Sequence, residues 1–324
     1  MNVEIKKLNV PKAIDQLKLF GYENYFTDFI SMYKNKKLPN VILLSGPKGS
    51  GKSTFVYHFI NYLLSSDEEN NYSLDKYEIN PSNSSYKLIQ NKIHPNLYII
   101  ENSEKGENIK IEKIRSCLKY LSKSTYQKNL RIVLIDNAEN LNINSSNALL
   151  KSLEEPSNNT HFFLIYNNTK YILKTIKTRC LDYKIHFTIN EKKIIFSHLI
   201  KKHGASYDLD KLDRYFFFET PGNLLSFISL IDSDSECFYE DNLKNILYLL
   251  NEYKKIFDPS LLEIISVSIE NFYNLLSIND SKNINNYSLN KNKIIYLIYN
   301  MKKFNLDKRA LVVTIEEILN NETK

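Results

Sequence analysis

Apolar residues along the first ~185 positions fall into short unbroken runs separated by stretches of helical spacing. Val41-Ile42-Leu43-Leu44 is uninterrupted, as expected of a strand covered on both faces. Leu97–Ile100, Ile132–Ile135 and Phe162–Tyr166 repeat that signature. Between them, Phe55–Leu64, Ile109–Leu121 and Ser145–Glu155 carry apolar residues three and four apart, and Pro156 ends the last of these helices. Strand runs alternating with helical patterns predict βα units around a parallel sheet.

From Thr188 onward the strand signature fades. Glu191–His203, Leu209–Phe218, Asn242–Phe257, Leu261–Leu276, Lys291–Phe304 and Lys308–Leu319 keep the helical spacing and predict an all-α second half. Seams are expected near 186–190 and across Ser233–Asp241, where the pattern breaks into polar residues. Ser65–Ser85 is polar and poor in aliphatics, and is expected to be a mobile excursion.

Composition narrows the class. The 324 residues leave room for two or three domains, and 43% hydrophobic with 25% charged residues excludes wholesale disorder. No run approaches the ~18–20 apolar residues of a membrane span, and Met1–Lys7 lacks the apolar core of a signal peptide, so a cytoplasmic protein is expected. Cys117, Cys180 and Cys237 form no CxxC pair, the histidines form no HExxH, and no zinc is expected. The net charge of +6 hints at a polyanionic partner, but lysine supplies nearly all of it in a chain rich in asparagine and isoleucine, as AT-rich codons produce. With seven glycines and five arginines, those that remain are the better guide to specific need.

Three of the seven glycines stand in Gly46-Pro47-Lys48-Gly49-Ser50-Gly51-Lys52-Ser53, a full match to G-x-x-x-x-G-K-[ST] between a buried strand and a helix. Gly46, Gly49 and Gly51 let the backbone curl so that several N–H groups face one anion, and the following helix N-terminus adds partial positive charge. Lys52 is placed to reach the β- and γ-phosphates and Ser53 to bind Mg²⁺. Arg131–Ile135 ends in Asp136, where a carboxylate suits a water-shelled metal. Thr54, and Asn167 just past the Phe162–Tyr166 run, complete the candidate nucleotide set. Asn137 stands where many rapidly hydrolysing ATPases place a glutamate, and Glu139 is expected to face solvent. Binding of ATP or ADP with Mg²⁺ is thus better supported than turnover. Tyr215-Phe216-Phe217-Phe218 is expected to pack in a core rather than stack on bases.

Downstream, Asn142–Pro156 contains Asn147-Ala148-Leu149-Leu150-Lys151 and Leu153-Glu154-Glu155-Pro156, followed by Thr160–Leu164 and Thr178-Arg179-Cys180. With Leu19–Glu23 and His94–Leu97, these segments resemble the bacterial clamp-loader family of AAA+ proteins over about residues 10–185. The resemblance implies an AAA+ α/β P-loop NTPase domain with a parallel sheet (1–186), a small helical lid (187–235) and an all-α C-terminal collar (236–324). It implies that Arg179 is an arginine finger acting in trans on a neighbour's nucleotide, with Thr178 in place of the usual serine and Cys180 a packing residue. It also implies gamma/tau and delta loader subunits, the sliding clamp and the phosphate backbone of primer–template DNA as partners. Asn144, Ser145 and Ser146 at one helix start, and Lys110, Lys113 and Arg115 on another helix, are the DNA-contact candidates.

The gamma/tau motor subunits carry an aspartate–glutamate pair, a zinc-binding cysteine cluster and a lid arginine. Here Asn137 replaces the glutamate, Ser65–Ile93 has no cysteine, and Asn223 stands in Thr220-Pro221-Gly222-Asn223-Leu224 without a nearby arginine. A non-motor subunit is the expectation. A motor ATPase and an ATP-inert structural stator remain open as alternatives.

Overall fold

The computed structural model describes residues 11–102, 108–123, 130–157, 159–202, 212, 216, 219–230, 242–257, 259–304 and 306–322. Cys237, the Ser233–Asp241 seam and most of the Leu209–Phe218 helix lie outside the described residues; of the aromatic run, Phe216 is described and fully buried. The chain divides into two compact units. One is Pro11–Leu199 with Thr220–Gly222; the other is built from the described parts of Ile200–Glu219 and Asn223–Lys324.

The first unit centres on five parallel strands: β1 (Val41–Ser45), β2 (Leu97–Ile100), β3 (Arg131–Ile135), β4 (Thr160–Tyr166) and β5 (Leu181–Lys184), in the order β2-β3-β4-β1-β5. Strand β1 pairs Val41 with Phe162 of β4 and Ile42 with Leu181 of β5. Because side chains alternate along a strand, Ile42, Leu44, Ile132 and Leu134 enter one core while Val41, Leu43, Val133 and Ile135 enter another. The first core is closed by α1 (Glu23–Lys34), α2 (Lys52–Leu64), α3 (Ser84–Gln90) and α7 (Ile189–Lys202). The second is closed by α4 (Ile111–Leu121), α5 (Ile143–Glu154) and the short α6 (Lys174–Lys177). This two-sided cover is why β1 to β4 are apolar without strict alternation.

The polar stretch 65–85 is not the excursion that its composition predicts. Tyr72 and Ile79 are buried, Ser73 and Lys18 each bridge to Glu78, and Glu68 accepts hydrogen bonds from the N–H groups of Ser84 and Ser85 at 2.7 and 2.9 Å. Asn83 caps α3 through Tyr86 N and donates to Asn70 O at 3.0 Å. Side-chain amides and a carboxylate replace the missing aliphatic residues by satisfying loop backbone.

In the second unit, α8 spans Pro221–Leu230, α9 Asn242–Ile256, α10 Pro259–Asn279, α11 Ile284–Phe304 and α12 Lys308–Asn321. Leu249, Tyr253, Ile265, Ile269, Ile294 and Ile315 are buried at helical spacing, and Asp307 caps α12 by accepting from Arg309 N. Lys254 on α9 pairs with Glu316 on α12 at 2.7 Å.

Candidate nucleotide site

Strand β1 hands the chain directly into Gly46, whose N–H donates to Tyr166 O at the end of β4 (3.2 Å). A Cβ on Gly46 would lie 2.6 Å from Ile185 O, so backbone stands where any side chain would begin. Gly49 and Gly51 take left-handed φ of 79° and 94°, conformations that L side chains adopt only at a cost. Gly51 is then the N-cap of α2, with Lys52, Ser53 and Thr54 in its first turn. The result is the curled loop that the motif predicts.

Lys52 is buried, and its Nζ donates to the carbonyls of Gly46 (2.9 Å) and Pro47 (2.7 Å) and to Ser50 Oγ (3.4 Å). Burial pulls its pKa down to about 8, a shift that the nearby Glu139 and Asp136 carboxylates oppose. Asp136 directly follows β3 and accepts from Ser53 Oγ at 3.3 Å. Burial raises its pKa, against the Ser53 hydroxyl and the Asn137 N–H, which favour the carboxylate. The glycine loop, the buried ammonium held against it and the Ser53–Asp136 pair at the start of α2 make a donor set that fits a polyphosphate with Mg²⁺. Pro47 and Lys48 sit on the exposed outer bend of the loop.

The ends of β3 and β4 are cross-linked by polar side chains. Asn137, at φ 57°, accepts from Asn167 Nδ2 at 2.8 Å. Glu139 does not face solvent as expected: it is buried and accepts from Asn167 N (3.3 Å) and Thr169 Oγ1 (2.9 Å). The left-handed residue Asn137 opens a 3-10 turn, Ala138–Asn140, that sets Glu139 against the segment following β4, which linear spacing does not reveal.

Two supports of the loop escape motif reading. Tyr22 is buried, donates from its hydroxyl to Ser50 O at 3.0 Å, and stacks on Phe55. Thr220 Oγ1 donates to Lys48 O (2.7 Å) and Gly222 N to Gly49 O (3.0 Å), so Thr220–Gly222 straps the outer bend of the loop. Asn223 Nδ2 donates to Glu219 at 3.4 Å.

Arg179 lies elsewhere. It precedes β5, whose first residue Leu181 pairs with Ile42, so it lies at the end of the sheet where β1 begins; Gly46 is at the other end, four residues or ~13 Å beyond Ile42 at ~3.3 Å per residue. Its Nε and Nη2 donate to Glu154 Oε1 and its Nη1 to Thr175 O. Cys180 Sγ donates to Ile176 O at 3.2 Å, and burial pushes its thiol pKa up to about 12. Among the DNA-contact candidates, Lys110, Arg115 and Asn144 are exposed, whereas Lys113 Nζ is tied to Glu101 O. The side chains of Ser145 and Ser146 are buried, and Ser145 Oγ donates to Ile109 O. Among the described residues, no helix is long and apolar enough to cross a membrane.

A parallel sheet whose P-loop strand lies between β4 and β5, with Asn167 directly after the adjacent β4 and Asp136 directly after β3 one strand further out, defines an AAA+ P-loop nucleotide-binding domain. The chain belongs to the DNA polymerase III, delta subunit family, whose model matches residues 21–188. It is 31% identical over 140 residues to DNA polymerase III subunit delta' of Pseudomonas aeruginosa, covering 43% of this chain and 41% of that relative. It is 36% identical over 104 residues to the gamma subunit of Buchnera aphidicola subsp. Schizaphis graminum, covering 32% of this chain and 29% of the relative. A delta' subunit of Buchnera aphidicola subsp. Acyrthosiphon pisum is 26% identical over 235 residues, 70% of each chain. The chain therefore spans less than half the length of the first two relatives.

Proposed function

We propose that this protein is a delta-prime subunit of a DNA polymerase III clamp loader, supporting ATP-dependent loading of a sliding clamp onto primed DNA. The reading divides the chain into a nucleotide-binding domain (1–186), a lid (187–235) and a collar (236–324) that assembles with gamma/tau and delta subunits in the cytoplasm. In its own P-loop, Lys52 and the loop N–H groups would hold the phosphates, and Ser53 with Asp136 would hold Mg²⁺, which supplies charge neutralisation between them. Asn137 presents an amide where a water-orienting carboxylate is needed, which favours nucleotide binding with slow or no hydrolysis.

The observation that carries the reading is the position of Arg179. Arg179 stands before β5, at the end of the sheet where β1 begins and opposite the end that carries Gly46, and its guanidinium is held there by Glu154 and Thr175, so a role on a γ-phosphate would fall on another molecule's site. There it would stabilise charge on the transferring phosphoryl, worth ~10³–10⁵ in rate for arginine fingers.

The test is the clamp- and DNA-stimulated ATPase of a loader rebuilt with this protein, wild type beside Arg179→Ala, with assembly checked by gel filtration. A large loss in an intact complex supports the trans role; an unchanged rate removes it. Steady-state turnover by the isolated chain would instead favour a gamma-like motor. Failure to bind labelled ATP with Mg²⁺ would favour a structural stator.

A further inference from the structure

We propose that Glu154 is the positioning residue of Arg179, presetting the guanidinium for a phosphate carried by another molecule. The proposal rests on the trans reading of Arg179 given above. Arg179 Nε and Nη2 both donate to Glu154 Oε1, Nε at 2.6 Å, and Nη1 donates to Thr175 O at 2.7 Å. An arginine has five N–H donors in a rigid planar fork. These contacts engage three of them and leave one on each terminal nitrogen for an incoming phosphate oxygen.

The supports are stiff. Glu154 is the last residue of α5, directly after buried Leu153, which lies one turn beyond Leu149; both leucines are packed in the core under the sheet. Thr175 lies in α6 beside fully buried Ile176. The platform therefore joins the Leu-Glu-Glu-Pro and Thr-Arg-Cys segments, which are 25 positions apart in sequence.

The pair stays open to water, with side-chain exposures of 28% for Arg179 and 45% for Glu154. An ion pair that exposed adds little to folding. Its effect falls on orientation: an unrestrained arginine loses much rotamer freedom when it docks, and fixing it beforehand lowers that cost at the encounter. Both contacts restrain the guanidinium without using up its outward N–H groups, which separates a preset finger from a parked one.

The experiment uses the rebuilt loader, comparing wild type, Glu154→Ala, Glu154→Gln, Arg179→Ala and the Glu154→Ala/Arg179→Ala double variant. Stimulated kcat and the KM for ATP are read together, with gel filtration and thermal melting as controls. Glu154→Ala is expected to lower kcat about tenfold to a hundredfold with KM unchanged. Glu154→Gln, which keeps an acceptor oxygen, is expected to lose less. The double variant should be no slower than Arg179→Ala alone, because Glu154 acts only through the guanidinium. Should Glu154→Ala fail to assemble, Glu154→Gln and Glu154→Asp carry the comparison.

A wild-type rate for Glu154→Ala beside a slow Arg179→Ala would overturn the positioning role and leave the finger standing. A faster Glu154→Ala would show a parked arginine and overturn it too, as would additive losses in the double variant. An unchanged Arg179→Ala would overturn both readings together.

Discussion

Asn167 donates its side-chain amide to Asn137 Oδ1 at 2.8 Å, joining the residue after β4 to the left-handed residue two positions past the end of β3. Asparagine tolerates φ 57° better than most residues, and its oxygen is the acceptor. Asn137→Ala should cost about 1–2 kcal/mol, roughly one for the left-handed backbone and one for the lost hydrogen bond. Asn137→Gly should cost less, because the backbone penalty disappears. Urea unfolding followed by tyrosine fluorescence suits a chain with 23 tyrosines and no tryptophan. Equal losses for the two variants would refute this division.

Nucleotide affinity should depend on pH through Lys52. Its pKa is lowered by burial to about 8 in the free protein, and a bound polyphosphate raises it. Below about 8 the ammonium is already formed, so Kd should be flat with pH. Above it, binding must take up a proton, and Kd should rise roughly tenfold per pH unit until the bound-state pKa is passed. Titration with a fluorescent ADP analogue between pH 6.5 and 9.5 checks this. Lys52→Arg, which stays charged throughout, should show no such break.

Removing the Tyr22 hydroxyl isolates its contact with the loop. Tyr22→Phe keeps the stacking on Phe55 and loses the bond to Ser50 O. A loss of about 1 kcal/mol in stability is expected, with weaker ADP binding. Calorimetric titration of the variant measures the second effect, and wild-type affinity would show that the loop holds its shape without Tyr22.

The strap makes a different demand. A Cβ on Gly222 would lie 2.5 Å from Gly49 O, so Gly222→Ala must move either the strap or the phosphate loop. A destabilisation of about 1–3 kcal/mol is expected, together with weaker nucleotide binding. Thr220→Val, losing one bond to Lys48 O, should show the same direction at smaller size. Melting curves with and without Mg²⁺–ADP report both effects; an unshifted curve for Gly222→Ala would mean that the strap is not seated in solution.

Legibility in the sequence followed burial. Strands β1 to β4 are covered on both faces, so their apolar runs stand out, and the glycine loop announces itself by residue type. Strand β5 does not: Leu181-Asp182-Tyr183-Lys184 lies at the sheet edge with an exposed end at each side, and no apolar run marks it. Helix α3 is seven residues long and polar, and the 65–85 segment offers Tyr72 and Ile79 to the core, too sparse for a periodic signal. Glu139 and Tyr22 reach their partners through a left-handed residue before a 3-10 turn and a long sequence separation, neither of which local spacing encodes. Asp136, Asn167 and the loop are legible in the sequence because each directly follows a buried strand.

Among the described residues the sheet has two border strands, β2 and β5, each of four residues. At β5, Asp182 pairs with Lys177 at 3.4 Å and Lys184 is exposed. A second molecule adding itself along this border would have to strip water from those charges for only a few ladder hydrogen bonds. Concentrated stocks of the protein should therefore stay clear and fail to seed thioflavin-positive ribbons, even though the strands behind that border are almost wholly aliphatic and aromatic.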